Sequence, residues 1–118
     1  MKIFVAGATG AVGSRLVPTL VEHGYTVVGT TTTPSKADAL RTAGATPVTL
    51  DLLDRDAVVD TLAQAQPDAV VHQATALAGF TDFRKFDEGF AFTNRLRTEG
   101  TDNLLEGMRK VSVRCIVV

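Results

Sequence analysis

Ile3-Phe4-Val5-Ala6-Gly7-Ala8-Thr9-Gly10-Ala11-Val12-Gly13 opens the chain and decides its fold. An apolar run of strand length meets three glycines at three-residue spacing, and an amphipathic stretch, Leu16 to Val21, follows. Strand, glycine turn and helix in that order form the context in which a dinucleotide is bound. Glycine lets the backbone turn sharply and lets a pyrophosphate approach the main chain with no β-carbon between them. The free N–H groups and positive end of the following helix then face the anion. A tight turn needing glycine only for its dihedrals is the plainer alternative, and the two flanks favour the ligand.

Working outward, short apolar runs alternate with helical patterns, the mark of βαβ units and a parallel sheet. Strands are expected at 2–6, 26–31, 46–50, 68–72 and 113–118. The first helix is predicted over 11–23, closed by Gly24, with Pro18 kinking or loosening a turn inside it. Pro34 suits the first turn of a helix over 34–43 that Gly44 ends, and Asp54 suits the cap of a helix over 54–65. Residues 73–86 read as a loop. A long helix over 87–109 carries Phe86, Phe90, Arg97, Gly100, Leu104 and Met108 near one stripe. Right-handed crossovers turn these elements into an α/β, Rossmann-type doubly wound sheet in strand order 3-2-1-4-5, a single domain over 1–118. Its ligands belong at the carboxyl ends of the strands, where the winding reverses.

Composition narrows the partners. With 118 residues, 45% of them hydrophobic, the chain can build one core. A net charge of −1 gives no basic surface for nucleic acid or an anionic membrane. No apolar run approaches the ~20 residues of a membrane span. The N-terminus starts on a strand-like run with no signal-peptide pattern, and the one cysteine, Cys115, is expected as a buried structural thiol. A cytoplasmic location follows as the expectation. No His, Cys or acid cluster has metal-ligand spacing, so no metal is expected.

Three further segments carry chemistry. Thr30 stands about 20 residues beyond the glycines, where an acid would grip the ribose 2′-hydroxyl of NAD. No acid occurs between Glu22 and Asp38, and hydroxyls at Thr30, Thr31 and Thr32 with Lys36 close behind suit a 2′-phosphate instead. This tilts the cofactor from NAD toward NADP, although a β-branched strand end followed by a helix start also accounts for threonine there. Asp51-Leu52 follows the third strand, where a carboxylate can accept a hydrogen bond from adenine and a leucine can line the base. A helix cap is the commoner use of such an aspartate. His72, between valines and the small residues Ala74, Thr75 and Ala76, reads as packed and hydrogen-bonded rather than as a proton carrier. His23 reads as a helix-end residue favoured by the dipole.

Gly7-x-x-Gly10-x-x-Gly13, Asp51-Leu52, Val71-His72-Gln73-Ala74 and Gly100-Thr101-Asp102-Asn103-Leu104-Leu105-Glu106 together resemble the extended short-chain dehydrogenase/reductase family, in its NAD-dependent epimerase/dehydratase group. The resemblance runs through the whole chain and implies an NAD(P)-binding half of an oxidoreductase. It implies pyrophosphate binding at Gly7, Thr9, Gly10, Ala11, Val12 and Gly13, adenine contact at Asp51 and Leu52, and ribose or nicotinamide-side contact at Ala74, Thr75 and Ala76. Arg97 takes the place of an asparagine frequent in the family, with Asn94 one turn earlier. The family's catalytic Tyr-x-x-x-Lys pair has no counterpart here. The sole tyrosine, Tyr25, has Gly29 four residues on. Catalytic residues are therefore expected to be none, with little or no turnover from this chain alone. A non-catalytic NAD(P)H sensor or an interaction module of the same fold is the alternative. The resemblance also implies a homodimer through helix 87–109, and an unpaired strand edge over 113–118 offers a second contact.

Overall fold

The computed structural model describes residues 1–74, 86–113 and 115–118, with the backbone alone for 86–90. Five strands, β1 (Lys2–Ala6), β2 (Thr26–Thr31), β3 (Thr46–Thr49), β4 (Ala69–His72) and β5 (Ile116–Val117), form one sheet in the order β3-β2-β1-β4-β5. Every pairing is parallel. The helices are α1 (Gly13–Glu22), α2 (Ala37–Thr42), α3 (Arg55–Ala65), α4 (Phe86–Arg95) and α5 (Thr101–Val111).

β1 lies at the centre, and its alternation builds both halves of the core. Phe4 and Ala6 join Val28, Leu50, Val70 and the α3–α5 side chains Val58, Leu62, Leu104 and Met108. Ile3 and Val5 face the other way, onto Val17 of α1 and Leu40 beyond β2. A strand buried on both faces must be apolar at every position, which is why Ile3 to Ala6 shows no polar alternation. Gly107 lets α5 approach α3 closely, since a β-carbon there would stand 2.6 Å from Leu62 Cδ1.

Local chemistry sets the ends of the elements. Asp54 Oδ1 accepts the Ala57 N–H at 3.2 Å and caps α3. Gly24 and Gly44, at φ 85° and 93°, take the left-handed turns that close the first two helical segments. α1 carries through Pro18 without ending, at the cost of one hydrogen bond to Ser14. His23 Nδ1–H donates to the Thr19 carbonyl at 2.8 Å, a local helix-end contact.

Four expectations need correction. The helix expected over 34–43 begins as a 3₁₀ turn, Pro34–Lys36, and becomes α-helical only at Ala37. The strand expected over 113–118 shrinks to two residues, because at the sheet edge it has only the short β4 to pair with. Cys115 precedes that strand and is exposed rather than buried; only its backbone joins the ladder, its carbonyl accepting the Val70 N–H at 3.0 Å. The helix expected as one piece over 87–109 is two α-helices joined by a π-helical turn, Leu96–Gly100. Leu96, not Arg97, occupies the buried stripe with Gly100, Leu104 and Met108, and Arg97 is exposed. Most of the loop expected over 73–86 lies outside the described residues, as do the side chains of Phe86 and Phe90.

Candidate functional site

β1 and β4 are adjacent, yet the chain leaves them toward opposite sides of the sheet, so their carboxyl ends part and leave a crevice. Gly7 follows β1 into it, and Gln73 and Ala74 follow β4. Gln73 N–H donates to the Ala6 carbonyl at 2.9 Å, which holds the two ends in register.

The glycine turn is tied to β2 at three points. Gly7 N–H donates to Thr30 Oγ1 at 3.1 Å, Ala8 N–H donates to the Thr30 carbonyl at 2.9 Å, and the Thr9 and Thr31 hydroxyls share a 3.1 Å hydrogen bond. Gly7 needs its residue type twice over. Its φ is +79°, and a β-carbon would stand 2.5 Å from Ala74 Cα. Gly13 needs it too, since a β-carbon there would lie 2.2 Å from the Gly7 carbonyl oxygen. Gly10 is different. Its φ lies outside the left-handed region, and the nearest atom to an added β-carbon would be the Gly7 oxygen at 3.6 Å. Among the described residues, nothing in the packing requires glycine at position 10.

The start of α1 is left open. Val12, at the N-cap, offers no side-chain acceptor, and the backbone N–H groups of Thr9, Ala11, Val12 and Gly13 have no acceptor among the described residues. Exposed amide donors gathered at a helix start attract anions.

A cleft of about 250 Å³ runs from this turn along the ends of β2 and β3. Its polar stretch is made by Gly7, Thr9, Gly10, the threonines 30–33 and Lys36. Its apolar end is made by Leu50, Leu52, Phe92 and Leu96 beside Asp51. Gln73 and Ala74 form the wall under β4. The structure thus brings Gly7, Thr9, Gly10, Thr30, Thr31, Thr32, Lys36, Asp51, Leu52 and Ala74 to one cleft. Ala11, Val12 and Gly13 stand beside it in the turn. Thr75 and Ala76 lie outside the described residues.

The threonines do not all face the cleft with free hydroxyls. Thr30 is buried with its Oγ1 engaged by Gly7, and Thr31 is buried with its Oγ1 held by Thr9 and by the Thr33 N–H at 3.1 Å. Thr32 and Lys36 are exposed. Asp51 does not cap α3, a task Asp54 performs. Its Oδ1 accepts the Leu53 N–H at 2.9 Å, while Asn103 Nδ2 holds the Leu52 carbonyl at 2.7 Å. Those two hydrogen bonds fix the Asp51-Leu52 backbone at the rim.

His72 is buried at the end of β4. Its Nε2–H donates to the Leu96 carbonyl at 2.9 Å, inside the π-helical turn, and Nδ1 faces the Ala74 N–H at 3.4 Å. Burial pushes its pKa below the ordinary value, the Leu96 hydrogen bond opposes that, and the Arg97 charge adds to the depression. The ring is a neutral strut between β4 and the helix, as its valine flanks suggested. Arg97 lines a second hollow with His72, Gln73, Ala74 and Val118.

Sequence reasoning missed Leu50, Gln73, Phe92 and Leu96 as lining residues. Leu50 and Gln73 each follow a strand whose end was recognised, a signal that was present. Phe92 and Leu96 are one helical turn apart, so they share a face.

Among the described residues, no group of three or more His, Cys, Asp and Glu could hold a metal ion, and no helix is long and apolar enough to cross a membrane. Residues 3–118 match the model of the NAD dependent epimerase/dehydratase family. A Streptomyces protein, 3-diazoavenalumate denitrifying reductase, is 41% identical over 117 residues, covering 99% of this chain and 36% of the reductase. The UDP-glucose 4-epimerase of Thermotoga maritima, solved with UDP-glucose, superposes with a TM-score of 0.78 at 26% identity, covering 98% of this chain and 36% of the epimerase. The Bordetella bronchiseptica enzyme WbmH, solved with NAD⁺, gives 0.70 at 27% identity over 98% of this chain and 37% of its own. The chain therefore spans little more than a third of the length of these relatives. On the match of its sequence and the order of its strands, the chain belongs to the NAD-dependent epimerase/dehydratase family.

Proposed function

We propose that this chain binds a nicotinamide dinucleotide as the coenzyme-holding part of an oxidoreductase of the epimerase/dehydratase type. The observation that carries the reading is Gly10. Its neighbours Gly7 and Gly13 are demanded by the fold, whereas Gly10 lines the cleft beside unsatisfied amides, and among the described residues a β-carbon there would make only an ordinary contact. A pyrophosphate lying on the main chain is the ligand that such a residue admits.

In this reading Gly7, Thr9, Gly10, Ala11, Val12 and Gly13 cradle the diphosphate. Asp51 and Leu52 meet the adenine, and Ala74 with Thr75 and Ala76 borders the nicotinamide side. Amides already oriented by the Thr30 and Thr31 contacts need no reordering when the anion arrives, so little of the binding free energy is spent on organising them. When bound, the coenzyme supplies or accepts a hydride. The chain holds it and shields one side, and no residue described here is assigned a proton transfer.

NADP is preferred to NAD in this proposal. Among the described residues, Asp51 is the only acidic one lining the cleft, and it stands at the apolar end. At the ribose end Thr32 and Lys36 are exposed, and Lys36 makes no ion pair among the described residues. A cation with hydroxyls, and no carboxylate, suits a 2′-phosphate. Titration with NADPH and NADH, followed by nicotinamide fluorescence, tests both levels. Saturable binding of either supports the dinucleotide reading, and its absence for both refutes it. Lys36→Ala is expected to weaken NADPH several-fold and leave NADH unchanged; equal loss for the two would refute the 2′-phosphate assignment.

The same reading includes a cytoplasmic setting, little turnover from this chain alone, and self-association through α4–α5 or the edge of β5. Sedimentation at tens of micromolar concentration (an order of magnitude suited to modest interfaces) is expected to show dimer. A strictly monomeric boundary would refute that part.

A further inference from the structure

The apolar end of the cleft holds a residue to which neither the family motifs nor the glycine turn assigns a task. Phe92, on α4, lines the cleft and is 43% exposed, the one aromatic there among the described residues. The other apolar lining residues, Leu50, Leu52 and Leu96, are buried at 4%, 3% and 7% exposure and belong to the core. Leu96 lies four residues on, at the start of the π-helical turn that continues α4, so Phe92 extends its stripe beyond the core toward the cleft. In the same cleft, Asp51 Oδ1 is engaged by Leu53, while Oδ2 makes no hydrogen bond among the described residues. A flat apolar ring and a free carboxylate oxygen at one rim match a base that has both a π-face and an amino edge.

We propose that Phe92 stacks on the adenine of the bound dinucleotide and sets the affinity of that end of the site. This rests on the dinucleotide reading above and adds a residue to it. Adenine has its exocyclic N–H₂ where the Asp51 carboxylate can accept it, its one face on Leu52 and its other face on the Phe92 ring. Stacking of a base on an aromatic side chain is worth about 1–3 kcal/mol by alanine substitution, which is about fivefold to 150-fold in affinity.

The test uses ADP-ribose, which carries the adenine, and nicotinamide mononucleotide, which does not. Phe92→Ala is expected to weaken ADP-ribose and NADH by about tenfold, within that range, and to leave the mononucleotide unaffected. The chain has no tryptophan, so Phe92→Trp adds a single reporter at the proposed contact. Its emission is expected to be quenched saturably by ADP-ribose and not by the mononucleotide. Unchanged ADP-ribose affinity in Phe92→Ala, or unquenched emission in Phe92→Trp at saturating ADP-ribose, would overturn the stacking role while leaving dinucleotide binding intact. Failure of the unsubstituted chain to bind either ADP-ribose or NADH would overturn both.

Discussion

Replacing Gly10 by alanine separates the turn as scaffold from the turn as ligand cradle. Among the described residues the added methyl meets nothing nearer than 3.6 Å, and the backbone there is outside the left-handed region. At such a position alanine restricts the unfolded chain and stabilises the fold by about 0.4–1 kcal/mol, a rise of roughly 2–5 °C in melting temperature for a domain of this size. The same methyl stands over the amides of the helix start. Loss of two hydrogen bonds to a charged phosphate, at about 1.5 kcal/mol each, lowers affinity by about a hundredfold. Gly7→Ala serves as the opposite case. Its φ of +79° alone costs about 1–2 kcal/mol for an alanine. The 2.5 Å approach to Ala74 Cα adds a backbone clash, so this variant is expected to melt well below the wild type. Thermal unfolding followed by circular dichroism and NADPH titration by fluorescence read the two effects on the same samples. A Gly10→Ala chain that binds like the wild type, or that melts as low as Gly7→Ala, would refute the reasoning.

Two further outcomes follow from side chains behind the site. Thr30→Val keeps the shape but leaves the Gly7 N–H without its acceptor. Urea unfolding is expected to show a loss of about 1–3 kcal/mol, restored in Thr30→Ser, and an unchanged midpoint would show that the hydroxyl is idle. His72 has a folded pKa depressed below that of the unfolded chain. Above the unfolded value it is neutral in both states and the linkage is silent. As pH falls below about 6.5, the unfolded chain takes up the proton first, so stability declines until the folded pKa is passed. His72→Gln, whose amide can still donate to the Leu96 carbonyl, is expected to flatten the melting temperature between pH 7 and 5; an identical slope in the variant would refute the assignment.

The fold was legible because β1 is buried on both faces. Ile3 to Ala6 had to be continuously apolar, and the glycines that follow had to mark the first crossover. Alternating runs and caps then located the other elements. What escaped was whatever depends on a neighbour in space. Cys115 sits in an apolar run and reads as buried, yet the sheet edge leaves it exposed. The spacing of Thr30 points to a ligand group and does not report the partner its hydroxyl has in the fold, the Gly7 N–H 23 residues away. Phe92 belongs to a helix whose stripe could be counted only approximately, because the π-helical turn at Leu96–Gly100 widens it. The cleft gathers ends of four strands and one helix, and periodicity along a single element does not report such a meeting.

The hydrogen bond between Gly7 and Thr30 couples two tasks that are usually discussed apart. On the proposed reading, the loop that would grip the diphosphate and the strand tip that would discriminate between the two coenzymes share one linchpin. An engineer who installs an acid at position 30 to convert the chain to NAD would bury a charge and release the loop in one stroke. On that reading, retuning begins at the solvent-facing Thr32, two residues past the pin.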